Sequence, residues 1–334
     1  MIETLINNGG VGMKAAVYYE NGGPEVFRYE EVPDPVAQAG EVLLRIEAIG
    51  VQGGDLLHRQ LAPVQNAPHI VGYQAAGTIV ALGDGVTGVR EGQRVVAFMA
   101  SGSHAELAAV KARNAYAVPD DMDPRVAAGI LIEFATADDC LFEFGRLRAG
   151  ETVLVQAAAG GVGLAAVQLA KAAGATVIGT ASSDEKLGRL ARYGLDHAIN
   201  YRDEDVVARV RELTGGRGAD LVLDPVGGRT LEGSIEALAY RGRISWIGEA
   251  GREGYSPQVR PLMGKSASLN GVYLAAEMQH DPARVRTMVD TLIARIAAGE
   301  LTVVVDREFP LAEAADAHRF IENREAFGRV LLIP

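Results

Sequence analysis

Apolar residues fall into two regimes along this chain. Over residues 13–136 they come as short β-type segments, at 14–18, 41–49, 75–82, 94–98 and 105–110. Gly and Pro punctuate them at 22–24, 33–35 and 83–92, and Ser and Gly at 101–103. Segments of that length between turn residues predict strands, and their spacing predicts a compact, partly open β-barrel. From Pro124 the pattern turns helical, with linking helices expected over 127–144. Strands then alternate with helices, at 152–156, 176–181, 197–200, 219–224, 242–248 and 268–272. That alternation predicts a doubly wound parallel sheet, and so an α/β second domain over 137–272. A helix at 282–298 and strands at 302–306 and 329–333 exceed what such a sheet needs. The tail, 273–334, is expected to return to the first domain.

One stretch organises the second half. Thr-Val-Leu-Val-Gln at 152–156 is a strand buried on both faces, and a turn must follow it at once. Residues 157–163 supply that turn, with Ala159, Gly160, Gly161, Val162 and Gly163 at its cofactor-facing end. Glycines there remove the Cβ atoms that would obstruct a tight strand-to-helix turn and hold the backbone away from a pyrophosphate. The helix expected over 162–173 points its unpaired amides and positive dipole end at the turn, which therefore suits an anion. Gly174 ends the helix, and 176–181 completes a βαβ unit.

The end of the second strand selects the dinucleotide. An NAD site wants an acidic side chain there for the ribose 2′-hydroxyl. This chain has Ala181-Ser182-Ser183, with Lys186 following. Two hydroxyls and an ammonium suit a 2′-phosphate, so the cofactor expected is NADPH. Asp184 and Glu185 then serve as partners of a helix dipole.

Composition narrows the class. At 334 residues with 48% hydrophobic content, the chain suits two domains. No run reaches the roughly 20 apolar residues of a membrane span, and no basic region followed by an apolar core opens the sequence, so a cytoplasmic protein without a membrane partner is expected. A single cysteine, Cys140, agrees with a reducing compartment and is expected buried and inert. The net charge of −11, without a dense basic patch, argues against nucleic acid as a partner. Residues 1–12 precede Met13, where the strand pattern opens, and are set apart as an N-terminal extension.

Several segments carry a resemblance: Ala157-Ala158-Ala159-Gly160-Gly161-Val162-Gly163, residues 51–55, Gly72-Tyr73-Gln74-Ala75-Ala76-Gly77, Asp224-Pro225-Val226-Gly227-Gly228 and Gly328-Arg329-Val330. Together they resemble the medium-chain dehydrogenase/reductase superfamily, and within it the zinc-independent NADPH:quinone oxidoreductases. The likeness covers nearly all of residues 13–334. It implies a GroES-like β-barrel catalytic domain, a Rossmann domain, a tail rejoining the first domain, and a homodimer paired through the Rossmann sheets.

Zinc-dependent members of that superfamily place a Cys where this chain has Gln52, a His-Glu pair where it has Tyr73-Gln74, and four Cys at a structural zinc. An amide and a phenol are poor zinc ligands and one cysteine cannot build a four-sulfur site, so no metal is expected. His58, near Gln52, reads as a surface or hydrogen-bonding residue. Without a Lewis acid, simple ketone reduction is difficult, whereas a quinone or α,β-unsaturated carbonyl spreads the arriving charge onto an oxygen that hydrogen-bond donors can stabilise.

By the resemblance, Gln52, Asp55 and Tyr73 face this small-molecule electrophilic acceptor, while the residues alone leave Asp55 open as a turn-capping carboxylate and Tyr73 as a packing residue. Leu57 and Gln74 depart from a Tyr and a Glu found in relatives, making the pocket less aromatic and less acidic. The resemblance also places Ser182, Ser183, Lys186 and Tyr201 around the 2′-phosphate, and Thr136 with Leu269, Asn270 and Gly271 near the nicotinamide. Arg324 or Arg329 would reach the cofactor phosphates, or be solvated tail charges. The leading function is an NADPH-dependent oxidoreductase of quinones or enones. An enoyl-thioester reductase and a non-enzymatic NADPH-binding protein stand as alternatives.

Overall fold

The computed structural model describes residues 12–334, so the extension at 1–12 lies outside the described residues except for Gly12. In chain order the strands are β1 (Met13–Tyr18), β2 (Arg28–Val32), β3 (Glu41–Gly50), β4 (His69–Ile70), β5 (Gln74–Leu82), β6 (Arg94–Phe98), β7 (Leu107–Lys111), β8 (Ala115–Ala117), β9 (Thr152–Val155), β10 (Thr176–Ala181), β11 (His197–Asn200), β12 (Ala219–Asp224), β13 (Leu238–Trp246), β14 (Ser268–Gly271), β15 (Val305–Pro310) and β16 (Arg329–Ile333). The chain divides into two compact units. Among the described residues one comprises 12–128, 307–325 and 330–334, the other 129–306 and 326–329.

In the first unit a seven-stranded sheet has the order β15-β16-β3-β5-β6-β8, with β7 pairing β3, and a smaller sheet has the order β2-β1-β4. The alternation of β3 places Val42, Leu44, Ile46 and Ala48 inside. Tail strand β16 pairs antiparallel with β3, Leu331 opposite Gly50. Tail strands β15 and β16 thus belong to this sheet.

The second unit is a six-stranded sheet of order β11-β10-β9-β12-β13-β14 whose pairs are all parallel. This is the doubly wound order of a Rossmann domain, with its switch point between β9 and β12, where dinucleotides bind beyond the carboxyl ends of the strands. Strand β9 is buried along its whole length, as its unbroken apolar run requires.

Three boundaries differ from expectation. The change of unit falls after Ala128 rather than at Thr136, because helix Leu131–Asp138 packs against helix Gly161–Ala172 of the parallel sheet. Helix Pro282–Ala297 also packs against Leu131–Asp138, so the return to the first unit begins at Arg307, not at 273. The strand expected over 302–306 runs instead over Val305–Pro310: the Gln168 side chain takes both backbone groups of Thr302, at 2.8 and 2.9 Å, and withholds them from a ladder. Cys140 is buried and free in a π-helical turn, Asp139–Glu143, and burial pushes its thiol up.

Candidate functional site

In the second unit β9 leads through Gln156 into a turn that ends at Gly160, the N-cap of helix Gly161–Ala172. Gly160 has no side chain to cap that helix, and a single parallel bridge joins Gly160 to Gly328. A Cβ on Gly163 would stand 2.4 Å from the Ala157 carbonyl oxygen, so only glycine lets the helix follow the strand this closely. The Ala159 carbonyl is engaged from within the unit, accepting from Gly328 N at 2.8 Å. Val162 is half-buried.

A buried polar chain braces this turn from the switch point. Thr180 Oγ1 donates to Gln156 Oε1 at 2.8 Å, Gln156 Nε2 donates to Ser234 Oγ at 3.1 Å, and Ser234 Oγ donates to Asp224 Oδ2 at 2.7 Å. Asp224 Oδ1 accepts from the amides of Val226 and Gly227. Burial pushes its carboxyl up, against these hydrogen bonds, which favour its ionised form. Sequence reasoning missed Gln156, Thr180 and Ser234 as supports. For Gln156 and Thr180 the signal was polarity at the ends of otherwise apolar strands; Ser234 lies in helix Gly228–Ala237 and gave none.

Ser182, Ser183, Lys186 and Tyr201 gather at the carboxyl ends of β10 and β11, where Tyr201 N donates to Ala181 O at 3.2 Å. Ser183 is the N-cap of helix Asp184–Leu190, its Oγ accepting from Lys186 N. Lys186 Nζ donates to the Ala326 carbonyl at 2.8 Å, and burial pushes its ammonium below the usual range. The Asp184 carboxylate accepts from Asn200 Nδ2 at 3.1 Å, while Glu185 is exposed. The donor set present is therefore two hydroxyls and an ammonium, with no acidic residue at the strand end itself, which fits a 2′-phosphate.

Thr136 is buried in helix Leu131–Asp138, while Leu269, Asn270 and Gly271 lie on edge strand β14, Asn270 donating to the Ile244 carbonyl at 3.4 Å. Arg329 is not a solvated tail charge. It is buried and its Nε lies 2.6 Å from Glu133 Oε1. Its side chain also covers the start of the turn helix, since a Cβ on Gly161 would meet Arg329 Cδ at 2.7 Å. The short spacing of Gly328-Arg329-Val330 gave no sign of a partner as remote as Glu133. Arg324 belongs to the first unit and is exposed, with φ +59°.

In the first unit Gln52 is the N-cap of helix Gly53–Leu61, and Gln52 N donates to Asp55 Oδ2 at 2.8 Å. Both residues are buried. Asp55 thus caps a helix start, and a carboxylate is stabilised there by the exposed amides. Burial pushes the neighbouring Tyr18 hydroxyl up to about 12. Tyr73 is half-buried and packs edge-on against Phe98, with ring centres 6.2 Å apart. Its hydroxyl rests on the first helical turn at Gly54, so Gln52 and Tyr73, distant in sequence, are brought to one helix end. Gln74 is fully buried and its Nε2 donates to the Ala128 carbonyl. Leu57 is half-buried on the same helix. Among the described residues no group of three or more His, Cys, Asp or Glu side chains is disposed to hold a metal ion.

Two family models match the chain, an alcohol dehydrogenase GroES-like domain over residues 38–120 and a zinc-binding dehydrogenase over residues 161–294. A 2-haloacrylate reductase of a Burkholderia species is 35% identical over 333 residues, covering 96% of this chain and 98% of its own. A quinone oxidoreductase of Pseudomonas aeruginosa is 35% identical over 320 residues, 94% of this chain and 97% of its own. The crystal structure of Escherichia coli quinone oxidoreductase complexed with NADPH matches with a TM-score of 0.90 at 32% identity, over 96% of this chain and 100% of that one. The chain belongs to the quinone oxidoreductase family of the medium-chain dehydrogenase/reductase superfamily.

Proposed function

We propose that the chain is an NADPH-dependent oxidoreductase that reduces a quinone or an α,β-unsaturated carbonyl without zinc. The observation that carries this reading is the Tyr73 hydroxyl resting on the first turn of the helix that Gln52 caps. A phenol and an amide, both hydrogen-bond donors, stand where the dipole of a nine-residue helix already favours negative charge. Charge develops on the acceptor oxygen during reduction, and donors arranged in advance stabilise it most. Zinc independence rests on the same residues, since neither Gln52 nor Tyr73 is a competent zinc ligand.

NADPH, when bound, supplies the hydride. Gly160, Gly161 and the amides behind them would hold its pyrophosphate, with Ser182, Ser183, Lys186 and Tyr201 at the 2′-phosphate and Thr136 and residues 269–271 toward the nicotinamide. Arg329, already paired with Glu133, would act on the phosphates through the turn rather than as a mobile cation. Asp55 holds the helix start that carries Gln52. The protein's part is to bind, orient and exclude water.

Edge strand β14 ends the parallel sheet, and Met263 and Tyr273 beside it are strongly exposed. This supports a homodimer paired along that edge, which light scattering would test. The lone buried Cys140 supports a reducing, cytoplasmic setting. No helix among the described residues is long and apolar enough to cross a membrane.

The deciding experiment follows NADPH and NADH consumption with 1,4-benzoquinone, 9,10-phenanthrenequinone, an alkenone, 2-chloroacrylate and a crotonyl thioester. Turnover with a quinone or alkenone, favouring NADPH by about tenfold or more, is expected from one charge-assisted contact to the 2′-phosphate. A protein that binds NADPH but turns over none of these acceptors overturns the reading. Preference for the thioester would move it to the enoyl-thioester reductases.

A further inference from the structure

The first unit contains a buried polar chain to which the reaction assigns no role. Arg59, on helix Gly53–Leu61, has a fully buried side chain. Its Nε donates to the Gly22 carbonyl at 3.2 Å, its Nη2 pairs with Glu322, and its Nη1 lies 3.0 Å from Nδ1 of His318. His318 Nε2 lies 3.0 Å from Nε2 of His104, whose Nδ1 lies 3.4 Å from Ser103 Oγ. Both imidazoles are buried.

Chemistry gives this chain a direction. A guanidinium only donates, so His318 Nδ1 accepts and its proton sits on Nε2. That N–H donates to His104 Nε2, which places the His104 proton on Nδ1, toward Ser103 Oγ. A second proton on either ring would set two donors face to face. Burial enforces neutrality as well, pushing His104 down to about 3, and pushing His318 well below its usual value with His104 and Arg59 adding to the effect.

Each end of the chain meets a segment that carries a group assigned to the acceptor. The amides of Ser103 and His104 donate to the carbonyls of Gly72 and Val71, both at 3.0 Å. Gly72 has φ +101°, and a Cβ there would stand 2.1 Å from Ser103 Oγ and 2.2 Å from His104 Nδ1. The next residue is Tyr73. At the other end, Arg59 sits on the helix whose first turn carries Gln52 and receives the Tyr73 hydroxyl.

We propose that the directed chain Arg59–His318–His104–Ser103 is a positioning element that fixes residues 71–73 against helix Gly53–Leu61, and so sets where the Tyr73 hydroxyl points relative to Gln52. The proposal rests on the acceptor reading for its catalytic consequence, whereas the placement of Tyr73 is observable without turnover.

Two measurements on the full chain test it. In ¹⁵N-histidine-labelled protein, His318 is expected as the neutral Nε2–H tautomer and His104 as the neutral Nδ1–H tautomer, unchanged between about pH 6 and about pH 8. The opposite tautomers, or titration of either ring within that range, overturn the proposal. In ring-labelled tyrosine protein, with the Tyr73 signal assigned through Tyr73→Phe, His104→Phe keeps the ring packing but removes the acceptor for His318. It is expected to shift the Tyr73 signal and lower kcat by about ten- to a hundredfold, the cost of a small misplacement, with KM for NADPH unchanged. His104→Gln, whose Oε1 can accept from His318 Nε2–H, is expected to restore both. A folded His104→Phe with wild-type Tyr73 signal and kcat overturns the proposal, as does failure of His104→Gln to exceed it. If His104→Phe does not fold, the tautomers decide. If the wild type turns over no acceptor yet Tyr73 still shifts in His104→Phe, the acceptor reading fails and the positioning chain stands.

Discussion

The Tyr73 hydroxyl lies so close to Gly54 that a Cβ on Gly54 would come within 2.5 Å of its oxygen. No strained backbone is involved, because Gly54 is an ordinary helical residue in the first turn of Gly53–Leu61. Gly54→Ala must therefore move the phenol. Tyr73 is half-buried and can yield, so the fold is expected to hold while the donor is displaced. The expected outcome is a kcat on a quinone lowered by about tenfold or more, with NADPH affinity and melting temperature near wild type. A folded Gly54→Ala variant with undiminished kcat would take Tyr73 out of the acceptor site.

Gln74 gives a stability prediction with a sign. Its buried amide donates to the Ala128 carbonyl, and Gln74→Glu would replace that donor with a carboxylate facing a carbonyl. Only the protonated acid can keep the bond, so the folded-state pKa of the new residue is raised above about 4.3. Its contribution is then present below that value and lost as pH rises through the raised one. Urea unfolding is expected to show a loss of about 1–3 kcal/mol at neutral pH and a smaller loss near about pH 5. Equal losses at both would show that the residue is not held against Ala128.

The contrast between these residues explains what was legible in the sequence. Strands β9, β10 and β12 were readable because strands buried on both faces need apolar centres, such as 153–155, 177–179 and 221–223, and the turn at 157–163 because close backbone approach demands glycine. Strand β2, Arg-Tyr-Glu-Glu-Val, is mostly exposed and showed no alternation to read. Gln74 kept the place of a relative's Glu in the sequence, yet its partner is a backbone carbonyl that no residue identity reveals. His104 and His318 stand 214 residues apart and each reads as a lone histidine; only the fold makes them a pair. Polar contacts between distant segments are set by tertiary geometry, and local periodicity carries no trace of them.

Lys186 tests the cofactor preference. Its ammonium already donates to the Ala326 carbonyl, so Lys186→Gln can keep a donor to that oxygen while removing the charge. The Ser183 cap of helix Asp184–Leu190 uses the backbone amide of residue 186 and is untouched. Steady-state kinetics are expected to show KM for NADPH raised by about ten- to a hundredfold, with KM for NADH nearly unchanged. A similar rise for both dinucleotides would mean that Lys186 supports the tail segment at Ala326 rather than the 2′-phosphate.

The neutral histidine pair predicts how the protein responds to acid. An unfolded His104 takes up a proton near about pH 6.5, whereas the folded one resists until about 3 because it is buried. The unfolded state therefore binds more protons throughout that interval. Stability from this group is complete above about pH 6.5 and is lost as pH falls, at up to about 1.4 kcal/mol per pH unit. His318, pushed down by burial and by its neighbours His104 and Arg59, acts in the same direction. Asp138 acts in the opposite one, since burial raises its carboxyl to about 6 and the folded state then gains protons first. The absolute slope mixes these groups, and the informative quantity is the difference from His104→Gln, which cannot take up a proton. Urea unfolding of the two proteins between about pH 4.5 and about pH 7.5 is expected to give curves that converge on acidification, the wild type losing stability faster. Parallel curves would mean that His104 takes up a proton in the fold as readily as when unfolded, and the Arg59–His318–His104 hydrogen bonds could not then hold it neutral in the direction their geometry requires.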